Sequence, residues 1–260
     1  MDNAARFRKS FHDLLKLIYQ RSPRNEYYPL EAAIREAGKS FPAIRYYEEE
    51  ILVSARLLEA ISSEHEGDLS LAEPSQLAID RVDKILKFVK DPPSVLPLFQ
   101  REVAALTIQD TVGRAVEIMQ QEDYSQVPIY SGDFLLGLAT SELITRWIGA
   151  TRAKGLTPDY SSPLAEILAF QDPKKDPRCL IFHRDDTLFK ALDSIQVSEA
   201  AGVKFGAILI LHSIDDPGRL DGIITSSDVA AARQYLELSL KTSLEGDEST
   251  TVPSQIDMAL

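Results

Sequence analysis

Gly222-Ile-Ile-Thr225-Ser-Ser-Asp228 is the stretch on which the reading of this chain turns. Gly222-Ile223-Ile224 has the character of a buried strand's end. Thr225-Ser226-Ser227-Asp228 then opens a helix that runs on through Val229-Ala230-Ala231-Ala232. A strand that delivers hydroxyls and a carboxylate to a helix N-terminus can receive a sugar and a phosphate. The first-turn N–H groups and the helix dipole favour an anion. A carboxylate can accept both hydrogens of a ribose cis-diol, each charge-assisted bond contributing about 1.5–3 kcal/mol when desolvated. The same residues also fit a second role. Thr225 and Asp228 stand at the spacing of a capping box, which stabilises a helix start and binds nothing.

Upstream, the chain repeats itself. One copy reads Leu106-Thr-Ile-Gln-Asp-Thr111, then a helix with Val112, Ala115, Val116 and Met119 on one face. It continues with Gln126-Val-Pro-Ile-Tyr130, the turn Ser131-Gly132-Asp133, and Phe134-Leu-Leu-Gly-Leu-Ala-Thr140 before a helix through Trp147. The other copy reads Cys179-Leu-Ile-Phe-His-Arg-Asp-Asp-Thr187 and a helix with Leu188, Ala191, Leu192 and Ile195. Gly206–Leu211, a turn at Asp215-Asp216-Pro217-Gly218 and the opening stretch complete it. Both copies run strand, helix, hairpin, helix, with Asp-Thr at the start of the first helix. Apolar strands such as Ala207–Leu211 need cover on both faces, and a second unit supplies it.

The N-terminal third has a different period. Phe7, Phe11, Leu14, Leu15 and Ile18 recur at helical spacing, and Ser22-Pro23-Arg24-Asn25 interrupts them. A short helix is predicted from Pro29 to Gly38 and a long one through Ile44, Ile51, Leu52, Ala55, Leu58 and Ile61. A last helix opens at Glu73-Pro74, buries Leu77, Val82, Ile85, Leu86 and Val89, and stops at Asp91-Pro92-Pro93. Short connections predict an antiparallel bundle. The fold class is therefore α+β. It divides into a helical bundle over 1–95, repeat units over 96–155 and 156–240, and a polar, acidic tail over 241–260 expected to be mobile.

The Asp-Thr helix starts, Met119, Ser125-Gln-Val-Pro-Ile-Tyr130, Gly137-Leu-Ala-Thr140 and Gly222-Ile-Ile-Thr-Ser-Ser-Asp228 resemble a tandem pair of CBS domains, a Bateman module. The resemblance covers more than half of the chain. It implies two βαββα units related by a pseudo-twofold, with clefts that take adenosine-containing ligands such as AMP, ADP, ATP or S-adenosylmethionine. The family's ribose-phosphate motif falls on Gly222, Thr225 and Asp228. It implies that Asp228 holds the ribose, that Thr225 and Ser227 meet a phosphate, that Phe182 lies against the base, and that Arg184 supplies a cation. In the first copy Thr140 is present, but Leu143 stands where the acid is needed. One competent site per chain is therefore expected, with Thr140 at most a minor phosphate contact. The second copy also lacks a proline matching Pro128. The resemblance further implies a homodimer through the helices, with Trp147 and Ile148 as exposed apolar candidates.

The bundle resembles HEPN-like helical domains in Tyr47-Glu-Glu-Glu-Ile-Leu-Val-Ser-Ala-Arg-Leu-Leu-Glu-Ala-Ile61 and the later Glu-Pro-Ser segment. Many of those are ribonucleases with an Arg-x-x-x-x-His motif. Here Ile61 stands five residues after Arg56 and Ala60 five before His65, and the equivalents of the pair are Leu58 and Ser63. The bundle reads as non-catalytic.

A net charge of −12 over 260 residues argues against general nucleic-acid or anionic-membrane binding, so any phosphate site is local. The single cysteine, Cys179, forms no intrachain disulfide, consistent with a cytoplasmic protein. No apolar run approaches the roughly 18 residues of a membrane helix. His183 and His212 lack metal-like spacing, and no triad, Walker loop or dinucleotide fingerprint is present. These features together predict a non-enzymatic sensor that needs no cofactor. It would bind an adenine nucleotide and convey that to the helical part or to a protein partner. The rivals are an RNA-binding or RNA-cutting protein of the HEPN type regulated by its repeats, and a scaffold that only dimerises.

Overall fold

The computed structural model describes residues 2–21, 29–62, 73–172, 174, 176–213 and 216–241. The expectations for Ser22–Asn25, for Ser63 and His65 and for nearly all of the acidic tail lie outside the described residues. Of the described residues, those within 1–37, 47–90 and 233–260 form one compact unit, and those within 38–46 and 91–232 form another.

In the helical unit, α1 (Asn3–Arg21) buries Phe7, Phe11, Leu14 and Ile18, the stripe that the helical spacing predicts. It packs against α5 (Gln76–Lys90), which buries Ile79, Val82, Ile85, Phe88 and Val89. Arg21 Nη1 donates to the Val89 carbonyl at 3.0 Å, tying off the last turns of both helices. Between them in sequence come α2 (Leu30–Ser40), α3 (Pro42–Tyr46) and α4 (Glu48–Ser62). The single helix expected from Ile44 to Ile61 is therefore two. Glu48, Glu49 and Glu50 crowd the first turn of α4, where the helix dipole favours them, so a new helix starts there. Residues 38–46 group with the repeats instead. There Tyr46 meets the Phe189 ring edge-on at 5.4 Å, and Arg45 pairs with Asp193.

The first repeat is β1 (Leu106–Thr107), α6 (Val112–Gln121), β2 (Gln126–Ser131), β3 (Phe134–Thr140) and α7 (Ser141–Ala153). β1 pairs parallel with β2, and β2 pairs antiparallel with β3. The second is β4 (Arg178–His183), α9 (Leu188–Ala200), β5 (Phe205–Ser213), β6 (Asp216–Thr225) and α10 (Asp228–Lys241), with the same pairing. Both are βαββα. Thr111 accepts from Arg114 N at 3.1 Å and Thr187 from Lys190 N at 3.2 Å, so the paired helix starts are capped as the sequence predicts. Asp110 Oδ2 accepts from Thr107 N at 2.7 Å and Oγ1 at 2.8 Å where β1 ends, as Asp186 Oδ2 accepts from His183 N at 2.8 Å where β4 ends. An unforeseen short helix, α8 (Leu164–Leu168), buries Leu164 and Ile167 between the repeats.

The repeats exchange backbone. Ahead of the first unit, the Pro93 carbonyl accepts from Leu188 N at 2.8 Å, Val95 N donates to the Asp186 carbonyl at 2.8 Å, and Gln100 bridges to Gly222. Ahead of the second, Tyr160 and Ser162 carbonyls accept from Gly113 N and Val112 N, and Leu164 N donates to the Asp110 carbonyl. Trp147 is 3% exposed and sits in the first unit's core with Leu143, Ile144 and Leu164, while Ile148 packs against that core. Trp147 is thus not an exposed dimerisation residue. Its large ring is spent on the core, where the T-shaped contact with Tyr160 at 6.2 Å holds it.

Gly222 is required by the exchange. A Cβ there would stand 2.0 Å from the Phe99 carbonyl oxygen, a backbone atom that cannot swing away. Gly222→Ala is expected to cost about 1–3 kcal/mol or more by overpacking. Gly149→Ala, in α7 with nothing near the added methyl, is expected to stabilise by about 0.5–1 kcal/mol. Urea unfolding of the two variants, followed by circular dichroism, checks both signs.

Candidate functional site

The motif residues of the second repeat meet at the end of β6. Thr225 closes the strand, two turn residues follow, and Asp228 is the first residue of α10. Asp228 Oδ2 accepts from Thr225 N at 2.7 Å and from Thr225 Oγ1 at 2.8 Å. Thr225 Oγ1 also lies 2.8 Å from Ser227 Oγ. This is the acid's half of a capping box, with the carboxylate reaching back to the strand's last amide. The capping role is therefore filled through one oxygen. Oδ1 accepts no hydrogen bond among the described residues.

A third donor reaches Oδ2 from 127 residues away. Arg101 Nη2 lies 2.7 Å from it and donates also to the Ile223 carbonyl at 2.6 Å. The exchange places Arg101 there, since its own amide donates to the Asp221 carbonyl at 3.1 Å. The Asp228 side chain is 16% exposed and that of Arg101 40%, so the pair stands at the surface rather than in the core. No local pattern in the sequence marks Arg101. The only available signal was its place just ahead of a strand that begins a repeat.

The sheet register separates the other expected residues from this cluster. Cys179, Ala207 and Thr225 share one row; Phe182, Ile210 and Gly222 share another, three positions along. Phe182 is buried there, its ring about 10 Å of strand from Thr225, with Lys190 Nζ 4.6 Å from the ring centroid. Arg184 is exposed in the turn beyond β4, about five residues or roughly 16 Å from the Thr225 row. It stands at the opposite end of the sheet and cannot share a phosphate with Thr225 in this arrangement. The parallel pairing of β4 with β5 makes it so: strand β4 begins, rather than ends, beside the motif. Gly222 is covered by the Phe99 carbonyl. His212 Nδ1 meets Asp221 Oδ1 at 2.9 Å, while His183 is exposed.

The corresponding place in the first repeat is a cleft of about 210 Å³ lined by Gly137, Thr140, Leu143, Gln171, Asp176 and Cys179, among others. That is below the roughly 300 Å³ at which small-molecule sites begin. Thr140 is buried and its hydroxyl accepts from Leu143 N at 3.0 Å, an ordinary cap. The Gln171 amide covers Gly137, where a Cβ would stand 2.6 Å from its nitrogen. Burial pushes the Asp176 carboxyl up, but the hydrogen bonds from Arg146 and the Asp172 amide outweigh it and leave the carboxyl low. Among the described residues no group of histidine, cysteine or acidic side chains could hold a metal. Nor is any described helix long and apolar enough to cross a membrane.

The CBS domain family model matches residues 95–150, the span that holds the first βαββα unit from its lead-in segment to α7. The first unit is a CBS domain. The second repeats its topology, its pairing and its threonine cap. The chain is similar to three solved structures. One, described as an acetoin utilization protein of Vibrio cholerae, is 21% identical over 59% of this chain and 98% of that one, with a TM-score of 0.42. Another, CBSX2 in complex with AMP, is 14% identical over 56% and 98%, with a TM-score of 0.40. The third, the CBS domain of a bacterial CNNM/CorC family Mg2+ transporter in complex with ATP, is 14% identical over 59% and 94%, with a TM-score of 0.39. No curated protein sequence matches the chain.

Burial pushes the Cys179 thiol up to about 12, and it pushes the Tyr130 hydroxyl up as well, helped by the neighbouring Cys179. A raised folded value keeps the thiol neutral, so its contribution to stability is complete below about pH 9. That contribution is lost as pH rises toward 12, at about 1.4 kcal/mol per unit from the thiol alone. Unfolding free energies at pH 8 to 11 are expected to fall, and to fall less steeply in Cys179→Ala, which removes the thiol's share and lowers that of Tyr130.

Proposed function

We propose that this chain is a non-enzymatic regulatory protein whose CBS pair binds one adenosine-containing nucleotide, AMP, ADP, ATP or a related compound, at the second repeat. On this reading it works in the cytoplasm as a homodimer, and occupancy biases how the helical unit meets a protein partner. Ligand at 100 times its dissociation constant adds about 2.7 kcal/mol to the competent state. That is enough to shift a two-state equilibrium, provided affinity differs between the states.

The observation that carries the reading is the convergence of Thr225, Ser227 and Asp228 at one helix start. Asp228 Oδ1 is unused there, and a cation, Arg101, is held beside it by an ion pair to Asp228 and a hydrogen bond to the Ile223 carbonyl. A surface ion pair of this kind contributes about 0–1 kcal/mol, so giving it up costs little beside two charge-assisted bonds to a ribose, and the Ile223 carbonyl keeps Arg101 in place. Asp228 would take the diol, and Thr225 with Ser227 and the first amides of α10 would face a phosphate. Gly222 belongs to the backbone exchange in this scheme. Thr140, Phe182 and Arg184 drop out of the site.

A second reading has an observation of its own. Asp228 Oδ2 already accepts three hydrogen bonds, and the Phe99 carbonyl covers Gly222. A CBS pair closed in this way could serve as a docking piece that binds no nucleotide. Calorimetry with AMP, ADP, ATP and cyclic dinucleotides decides between them. The sensor reading expects one site per chain for at least one adenine nucleotide, lost in Asp228→Ala with the circular dichroism unchanged. Absence of heat and of any melting shift across the whole panel would leave the docking piece.

A further inference from the structure

We infer that Arg101 is the residue that makes this site demand a phosphate, so that nucleotides bind and the bare nucleoside does not. The inference rests on the proposed nucleotide site and concerns which ligands that site accepts.

Three observations lead to it. First, Arg101 is fixed by backbone before its side chain is considered, because its amide is bonded to the Asp221 carbonyl and Gln100 bridges to Gly222. Its side chain therefore runs along β6 toward the motif rather than sampling open solvent. Second, both hydrogens of Nη2 are committed, one to the Ile223 carbonyl and one to Asp228 Oδ2. A guanidinium carries five N–H donors in a planar fork. Nε and Nη1 make no hydrogen bond among the described residues, and the side chain is 40% exposed. The guanidinium stands beside the carboxylate that would take the ribose, with donors left over for a phosphate. Third, the ion pair has a consequence for neutral ligands. With Oδ2 accepting from Arg101 and Thr225, the carboxylate offers a diol only Oδ1 at full strength.

A nucleoside thus meets a carboxylate whose charge is already answered, and it gains little. A nucleotide meets the same carboxylate together with an unfilled guanidinium edge, and its phosphate is bound with charge assistance. The local cation also explains how a chain of net charge −12 could hold a phosphate at all. Arg184, exposed at the other end of the sheet, does not compete for this role.

The experiment compares adenosine with AMP on the full chain by calorimetry, in the wild type, Arg101→Gln and Arg101→Lys. The wild type is expected to favour AMP by about 10- to 100-fold, the span of one charge-assisted bond. Arg101→Gln is expected to bring the ratio within about threefold, mainly by weakening AMP, while adenosine binds as well as before or better. Arg101→Lys, which keeps a charge without the fork, is expected to retain part of the preference, and it serves as the readout if the glutamine variant does not fold. A wild type that binds both equally would overturn the inference and leave the nucleotide reading standing. So would an Arg101→Gln protein that keeps the full preference. Binding of neither ligand, nor of ADP or ATP, by the wild type would remove both the inference and the reading beneath it.

Discussion

The arrangement depends on a reciprocal exchange of main chain between the two repeats. Residues 93–101 precede the first unit yet bond to the second, at the cap of α9 and along β6, while residues 160–164 precede the second unit and bond to the first. Main-chain bonds of this kind satisfy groups that would otherwise be buried unpaired. They also fix position to within a hydrogen bond's tolerance. That precision brings Arg101 to Asp228 and the Phe99 carbonyl onto Gly222, and it fixes the end of the sheet beside which the motif must act.

Glycine and threonine take on different work in the two repeats because of it. Gly222 has no side chain because a carbonyl passes over it, whereas Gly137 has none because its φ of +155° is one that side chains rarely adopt. Thr140 accepts from the helix it starts, whereas Thr225 donates to the acid that follows. The replacement of an acid by Leu143 accounts for the difference. Without a carboxylate to receive it, the Thr140 hydroxyl turns to the Leu143 amide and the site becomes an ordinary helix start with a small cleft behind it.

Much of this was legible in the residues. The repeated order of strand, capped helix and hairpin is written in alternation and in Asp-Thr pairs, and those are local signals that the backbone obeys. The stripe of α1 and the stop at Asp91-Pro92-Pro93 are equally local. What the sequence concealed lies at long range or in competition between weak preferences. The break between α3 and α4 depends on three glutamates favouring a helix start, with Tyr46 packed on Phe189. Arg184 looked well placed because it follows the strand that carries Phe182, but only the register shows that β4 starts beside Thr225 and leaves in the other direction. Arg101 could not be found by spacing at all, because its partner is 127 residues away.

The exchange also sets an order of events during synthesis. Arg101 leaves the ribosome 122 residues ahead of Ile223, whose carbonyl it bonds. At about 5–20 residues per second, its partner strand follows roughly 6 to 24 s later. For that interval the segment ahead of the first repeat has no edge to join, whatever the first repeat has already become. The module is therefore sealed by its earliest-made piece only after its last strand has arrived, and each half matures as the other half's missing part.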